Sequence, residues 1–348
     1  MIRVLVIDDS AVVRQVLSKE LCKAEGIEVV ATAVDAFAAR DKIVRLKPDV
    51  VTLDLQMPRM NGLTFLAKLM KHHPLPVIVV SSMATKGSDA AMQAMELGAT
   101  DVVCKPGPGY SVSEIVEMLV DKIRAVAQTR RLKSGVAKSA EAVTGRLVAD
   151  LRSVQDKVVA IGASTGGIEA IRILLCGMPA EGPGILIVQH LPAKFTATFA
   201  ERLNGLCAME VREARNGEAL EPGTALIAPG NQHMTVRSHG LRNSVHVSGG
   251  PRIFHHRPSI DVLFHSVASN VGSNAIGVIM TGMGSDGARG LLAMRQAGAR
   301  TCAQDEESCV IFGMPKEAIR IGAAEATVPL DQIPTHILTV SKRKRSAS

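Results

Sequence analysis

Five polar residues close short apolar runs in the first third of the chain. Asp8 and Asp9 follow Val4–Ile7, Asp54 follows Val50–Leu53, Ser81 follows Val77–Val80, and Lys105 follows Val102–Cys104. If these runs are parallel strands, their carboxyl ends share one crevice, and the five residues converge there. Three carboxylates in one place repel each other and make a hard, oxygen-rich cation site suited to Mg2+. A carboxylate can also accept a phosphoryl group as a nucleophile. Ser81 and Lys105 would then bind the phosphoryl oxygens through hydroxyl and ammonium. A helix cap at Asp8-Asp9-Ser10 is the simpler reading of those three residues alone. It leaves Asp54, Ser81 and Lys105 unexplained.

A second group of residues suggests acyl transfer. The apolar run at Val158–Ile161 leads at once into Gly162-Ala163-Ser164-Thr165-Gly166-Gly167, and a helical pattern starts at Ile168. Gly-x-Ser-x-Gly between strand and helix is the spacing of a nucleophile elbow. A phosphate-binding glycine turn has a similar look. The rest of the chain separates the two. Ile185–Val188 ends in Gln189-His190, and Ala275–Met280 ends in a loop that carries Asp286. A serine hydroxyl needs a base, and the base needs an orienting carboxylate. Ser164, His190 and Asp286 all follow strand ends and fit those roles. His233, His255 and His256 are rivals for the base, but none directly follows an apolar run. Asp261 is a rival carboxylate, better read as opening a helix over 261–268. The order Ser–His–Asp differs from the Ser–Asp–His order of α/β-hydrolases, which argues against that fold and not against the triad.

The elements that position these residues read as α/β throughout. In the first half, five strand-then-helix units predict a doubly wound, flavodoxin-like sheet of five parallel strands, with helices near 11–24, 36–46, 62–71, 86–97 and 113–129. The second half predicts a three-layer α/β domain with a mainly parallel sheet. Its strands start at Val158, Ile185, Ala225, Ala275 and Arg300, and a hairpin with loops is expected over 231–257. Between these halves, the composition becomes polar and small. The expected organisation is a domain over 1–125, a linker over 126–153, a catalytic domain over 154–342 and a basic tail over 343–348.

At 348 residues the chain is too long for one ordinary core. With no Trp and one Tyr, both cores must be aliphatic. The net charge of +7 comes without aromatic interleaving, recognition-helix signature or zinc-finger spacing, so nucleic-acid binding is not expected. The six cysteines form no Cys-x-x-Cys pair and read as reduced, packed thiols. No uncharged stretch reaches membrane-spanning length, and a cytoplasmic protein without membrane insertion is expected.

Two resemblances sharpen these readings. Val6-Ile7-Asp8-Asp9-Ser10, Leu53-Asp54 with Met57-Pro58, Met60 and Gly62, Val80-Ser81-Ser82, and Lys105-Pro106 resemble a response-regulator receiver domain over about the first 125 residues. That resemblance implies Asp54 as phosphoacceptor and Asp8 and Asp9 as Mg2+ ligands with the Gln56 backbone carbonyl. It also implies a cis bond before Pro106 and a histidine kinase as phosphodonor. Many receivers carry an aromatic residue three positions before the lysine, where this chain has Val102. The second half, through Gly162-Ala163-Ser164-Thr165, Gln189-His190, Ala228-Pro229-Gly230, Arg257-Pro258-Ser259-Ile260-Asp261 and Thr281-Gly282-Met283-Gly284 with Asp286, resembles the chemotaxis protein-glutamate methylesterases. That family implies Ser164, His190 and Asp286 as triad, the Met283 backbone N–H as oxyanion donor and Thr165 in support. It implies methyl-accepting chemotaxis receptors as substrates, removal of glutamyl methyl esters, deamidation of receptor glutamines and no cofactor for the ester chemistry. Phosphorylation of the receiver is expected to relieve a restriction on the catalytic crevice.

Overall fold

Runs of Val, Ile and Leu long enough to be buried on both faces become the strands of two parallel sheets. The computed structural model describes residues 1–81, 85–105, 111–132, 157–193, 195–240 and 242–342. The chain divides into two units, Met1–Val136 and Ala137–Ser348.

The first unit alternates β1 (Ile2–Ile7), α1 (Ala11–Leu21), β2 (Ile27–Ala33), α2 (Ala36–Leu46), β3 (Val50–Leu53), α3 (Gly62–His72), β4 (Val77–Ser81), α4 (Thr85–Glu96), β5 (Asp101–Cys104) and α5 (Val112–Leu132). All strand pairs are parallel, in the order β2-β1-β3-β4-β5. Val4, Val6 and Ile78 from the sheet pack with Leu17 and Leu21 of α1 and Ile115 and Leu119 of α5. Polar side chains start the helices as helix capping requires: Ser10 accepts from the Val13 N–H, Asp35 from Phe37 and Ala38, and Asn61 from Leu63. Gly62 has a specific reason to be glycine. A Cβ there would lie 2.6 Å from the Asp54 carbonyl oxygen, so the loop after β3 folds back tightly behind Asp54.

The second unit contains β6 (Val158–Ala163), α6 (Gly167–Cys176), β7 (Gly184–Gln189), α7 (Phe195–Leu206), β8 (Glu210–Glu213), β9 (Thr224–Ile227), β10 (His233–His239), β11 (Arg242–Ser248), α8 (Ile260–Asn270), β12 (Ala275–Ile279), α9 (Ala288–Gln296), β13 (Arg300–Gln304), α10 (Met314–Arg320), β14 (Ala326–Val328) and α11 (Ile333–Lys342). Seven strands form a sheet in the order β14-β13-β12-β6-β7-β9-β8, and every pairing in it is parallel. β10 and β11 form the expected antiparallel hairpin. Phe264 and Leu263 of α8 pack with Leu186, Ile279, Leu291 and Met294 in the core.

The expected elements are present, with longer strands at several starts and α5 continuing to Leu132. Two strands were not anticipated. β8 carries two glutamates and is half exposed, and β14 has three residues. Both lie at sheet edges, where one-sided burial weakens the apolar signal. α10 and α11 were also not anticipated. The only cis peptide among the described residues is Arg257–Pro258. Ser82, the bond before Pro106, residues 133–153 of the expected linker and the tail at 343–348 lie outside the described residues. No helix among the described residues is long and apolar enough to cross a membrane.

The core account has a direct test. Phe264 is fully buried, and Gly290 of α9 approaches its Cβ so closely that no larger residue fits there. Phe264→Ala should lower stability by roughly 3–5 kcal/mol, read as a lower urea midpoint with unchanged slope.

Candidate active site and phosphorylation pocket

The catalytic unit reverses its winding direction at β6, its first strand. β7 lies on one side of β6 and β12 on the other. Such a switch point opens a crevice at the carboxyl ends of the central strands. Ser164, His190 and the loop bearing Asp286 follow β6, β7 and β12, so the sheet order alone brings their backbones to one edge.

Side-chain and backbone bonds fix the serine turn. The Ser164 N–H donates to the Thr281 carbonyl at 3.0 Å, and the Ser164 carbonyl accepts from Gly167 N and from Gln189 Nε2, both at 2.8 Å. Thr281 Oγ1 donates to the Thr165 carbonyl at 2.9 Å and accepts from the Ile311 N–H. Gly166 has φ +80°, and a Cβ on it would meet Val310 at 2.5 Å. Gly282 packs directly on the serine: a Cβ there would lie 2.7 Å from the Ser164 Cβ. Met283 follows at once, on the loop between Thr281 and Asp286.

His190 is tied at both ends. Its N–H donates to the Ala163 carbonyl, the residue before Ser164, at 3.2 Å. Its ring Nε2 lies 2.8 Å from Asp286 Oδ2. An ionised carboxylate only accepts, so Nε2 carries a proton, and in the neutral ring Nδ1 is left with a lone pair. Nδ1 is buried and has no hydrogen-bond partner among the described residues, the Ser164 hydroxyl included. The ring face is covered by His256, stacked with centroids 3.7 Å apart and planes 11° from parallel.

Asp286 is buried and collects further donors. Oδ1 accepts from Ser259 Oγ at 2.8 Å and the Asp261 N–H at 3.0 Å, and Oδ2 accepts from the Ile260 N–H at 2.8 Å. These amides open α8, so the carboxylate also sits at the positive end of a helix. Burial pushes its pKa up, but the bond and charge of His190 and the two amides outweigh that and hold it at about 2. Because its folded value lies below the ordinary one of 3.8, this carboxylate stabilises the fold at neutral pH. That contribution is lost as pH falls toward 2.

The rivals take other positions. His233 bridges two backbone groups: Nε2 lies 2.9 Å from the Pro251 carbonyl and Nδ1 accepts from the Ser259 N–H at 3.2 Å. His255 is exposed. Asp261 accepts from the Gly290 N–H at 2.6 Å, and burial and then the Asp286 charge raise its pKa. Ser259, not Asp261, caps α8. Gln189, Thr281 and Ser259 were not singled out for a role. A polar residue closing a fully buried apolar run was the available signal for Gln189 and Thr281.

In the first unit, β1 and β3 are neighbours at the switch point of their sheet, so Asp8, Asp9 and Asp54 meet. They offer one oxygen each within 4.8 Å of one another. Lys105 Nζ lies 2.8 Å from both Asp8 Oδ2 and Asp54 Oδ2. The Gln56 N–H donates to Asp54 Oδ1 at 3.2 Å, and Ser81 is buried at the end of β4. Burial raises the Asp54 pKa despite the Lys105 bond and charge. Burial alone would lower that of Lys105, but its bonds to Asp54 and Asp8 raise it. The all-oxygen donor set fits Mg2+.

Comparison with known proteins gives the same division. The family model for CheB methylesterase matches residues 159–337, and that for the response regulator receiver domain matches residues 4–119. The chain belongs to the CheB methylesterase family. A relative from Syntrophus aciditrophicus, named protein-glutamate methylesterase/protein-glutamine glutaminase 2, is 53% identical over 97% of this chain and 98% of its own. One from Chromohalobacter salexigens, with the same activity name, is 52% identical over 97% of this chain and 95% of its own. The crystal structure of the Thermotoga maritima CheB methylesterase catalytic domain is 34% identical, with a TM-score of 0.52, and covers 53% of this chain and 98% of that one. This chain carries both the receiver and the esterase portions.

The proton assignment is testable by 15N NMR of the imidazoles. In its neutral form, the His190 ring should be protonated on Nε2 and bare on Nδ1. A neutral ring protonated on Nδ1 would contradict the Asp286 bond described above.

Proposed function

We propose that this chain is a phosphorylation-activated hydrolase. It removes methyl groups from glutamyl esters of methyl-accepting chemotaxis receptors and deamidates receptor glutamines, acting in the cytoplasm. The observation that carries the reading is the buried Nδ1 of His190, unpartnered among the described residues, on a residue whose N–H is bonded to the strand end before Ser164, while Nε2 is committed to Asp286.

In this reading, Nδ1 takes the Ser164 hydroxyl proton as the oxygen attacks the ester carbonyl. Asp286 holds the ring and offsets the imidazolium charge. The Met283 N–H, with Thr165 in support, binds the developing oxyanion. Protonated Nδ1 then gives its proton to the departing methanol, or to ammonia from a glutamine. Water activated by the same nitrogen cleaves the acyl-enzyme and frees Ser164.

Control lies with Asp54, which accepts the phosphoryl group of a histidine kinase. Asp8, Asp9, Asp54 and the Gln56 carbonyl would hold Mg2+. When bound, the ion offsets the negative charge that the phosphoryl group adds. Ser81 and Lys105 then hold the phosphoryl oxygens, and Lys105 exchanges its bond with the carboxylate for one with phosphate. The substrates are receptors; neither nucleic acid nor membrane insertion is part of this function.

Two variants test the two halves. Ser164→Ala should fold normally but release methanol from methylated receptor membranes at least roughly a thousandfold more slowly. Full activity in that variant would sink the proposal. Asp54→Ala should keep basal esterase activity and lose its stimulation by a phosphodonor. Stimulation that survives in Asp54→Ala would place the control elsewhere.

A further inference from the structure

The cysteines do not share one environment. Cys104, Cys302 and Cys309 are buried, and burial pushes the thiols of Cys104 and Cys302 up to about 12. They are packed, inert groups, as the sequence suggests. Cys22 is exposed at the end of α1. Cys176 and Cys207 differ from all of these because they face each other, with their sulfurs 3.7 Å apart.

Cys176 is the last residue of α6 and is exposed; Cys207 directly follows α7 and is half-buried. The sulfur of Cys176 also points at the Leu206 carbonyl, 3.9 Å away. Arg172, one turn earlier on α6, is held by a two-pronged pair with Glu169 at 2.6 and 2.8 Å and interacts with the Cys176 sulfur. Burial first, and then the neighbouring Cys176, pushes the Cys207 thiol up to about 12, so Cys207 keeps its proton while Cys176 is reduced. The pair therefore has one accessible sulfur and one sheltered sulfur in contact with it. This is the division of labour of an attacking and a resolving cysteine.

We infer that Cys176 and Cys207 form an oxidation site, at which a peroxide converts the dithiol into a disulfide joining the far ends of α6 and α7. The Cys176 thiolate attacks one peroxide oxygen, the O–O bond breaks, and hydroxide leaves. Cys176 is then a sulfenic acid. The Cys207 sulfur attacks the Cys176 sulfur, the S–O bond breaks, and the departing hydroxide takes the Cys207 proton to leave as water. In total, two thiols are oxidised and one peroxide is reduced to two waters. Closure from 3.7 Å to the bonded distance of about 2.05 Å moves the sulfurs by less than the length of one side-chain swing.

The link would join two helices that begin beside the chemistry: α6 starts at the turn bearing Ser164, and α7 starts shortly after His190. It would close a loop between positions 31 apart in sequence. Such a constraint acts on the unfolded chain and raises thermal stability.

The test uses the reduced full-length chain, treated with limiting hydrogen peroxide, trapped by alkylation and mapped by mass spectrometry. The expected product is one Cys176–Cys207 linked peptide pair, lighter by two hydrogens and released by dithiothreitol. The melting temperature should rise by roughly 5 °C, reversibly. In Cys207→Ser, Cys176 should instead be captured as a sulfenic acid by dimedone, and Cys176→Ser should show neither product. If both thiols are alkylated as free groups while Cys22 oxidises, or if Cys176 links two chains, the inference is wrong. None of these readouts depends on the esterase assignment.

Discussion

An ionised carboxylate inside an apolar core is costly unless every lone pair has a donor, and the catalytic unit is organised around one such group. Asp286 receives the His190 ring, the Ser259 hydroxyl and two amides at the start of α8. Each donor comes from an element that must itself be placed, β7 for His190 and α8 for the amides, while β12 leads to the accepting aspartate. Removing the carboxylate would therefore orphan donors on two elements at once. The same bonds that make burial tolerable fix which nitrogen of His190 bears a proton. Folding and chemistry depend on one satisfied charge.

The two units reach different chemistry through the same topological device. Each parallel sheet reverses its winding beside its first strand, and polar residues at the strand ends meet in the gap. In the first unit, the residues are carboxylates and an ammonium, which suit a cation and a phosphoryl group. In the second they are a hydroxyl, an imidazole and a carboxylate, which suit acyl transfer. The fold supplies convergence; the residue types supply the reaction.

Strand ends were legible in the sequence because strands covered on both faces read as unbroken apolar runs. That is why Asp8, Asp54, Lys105, Ser164 and His190 can be read from the sequence as strand-end residues. Edge strands lack that signal. Glu210–Glu213 is charged and half exposed, and it pairs because β9 offers an open edge, not because its side chains demand burial. Histidine roles were only partly legible. His190, His233 and His256 all occupy loops or strand ends, and only the folded chain shows one bonding a carboxylate, one bridging backbone and one stacked on another ring. The contact between Cys176 and Cys207 was hidden for a similar reason, since sequence reports spacing along a helix but not which helix ends meet.

His233 gives this arrangement a second line of support. It supports Ser259 by accepting the Ser259 N–H on Nδ1 while donating from Nε2 to Pro251. Only a neutral imidazole can do both. Both bonds meet where α8 begins, at the residue whose hydroxyl serves Asp286. The carboxylate is thus held from behind as well, by an imidazole that touches neither Asp286 nor His190 but fixes the backbone from which Ser259 reaches it.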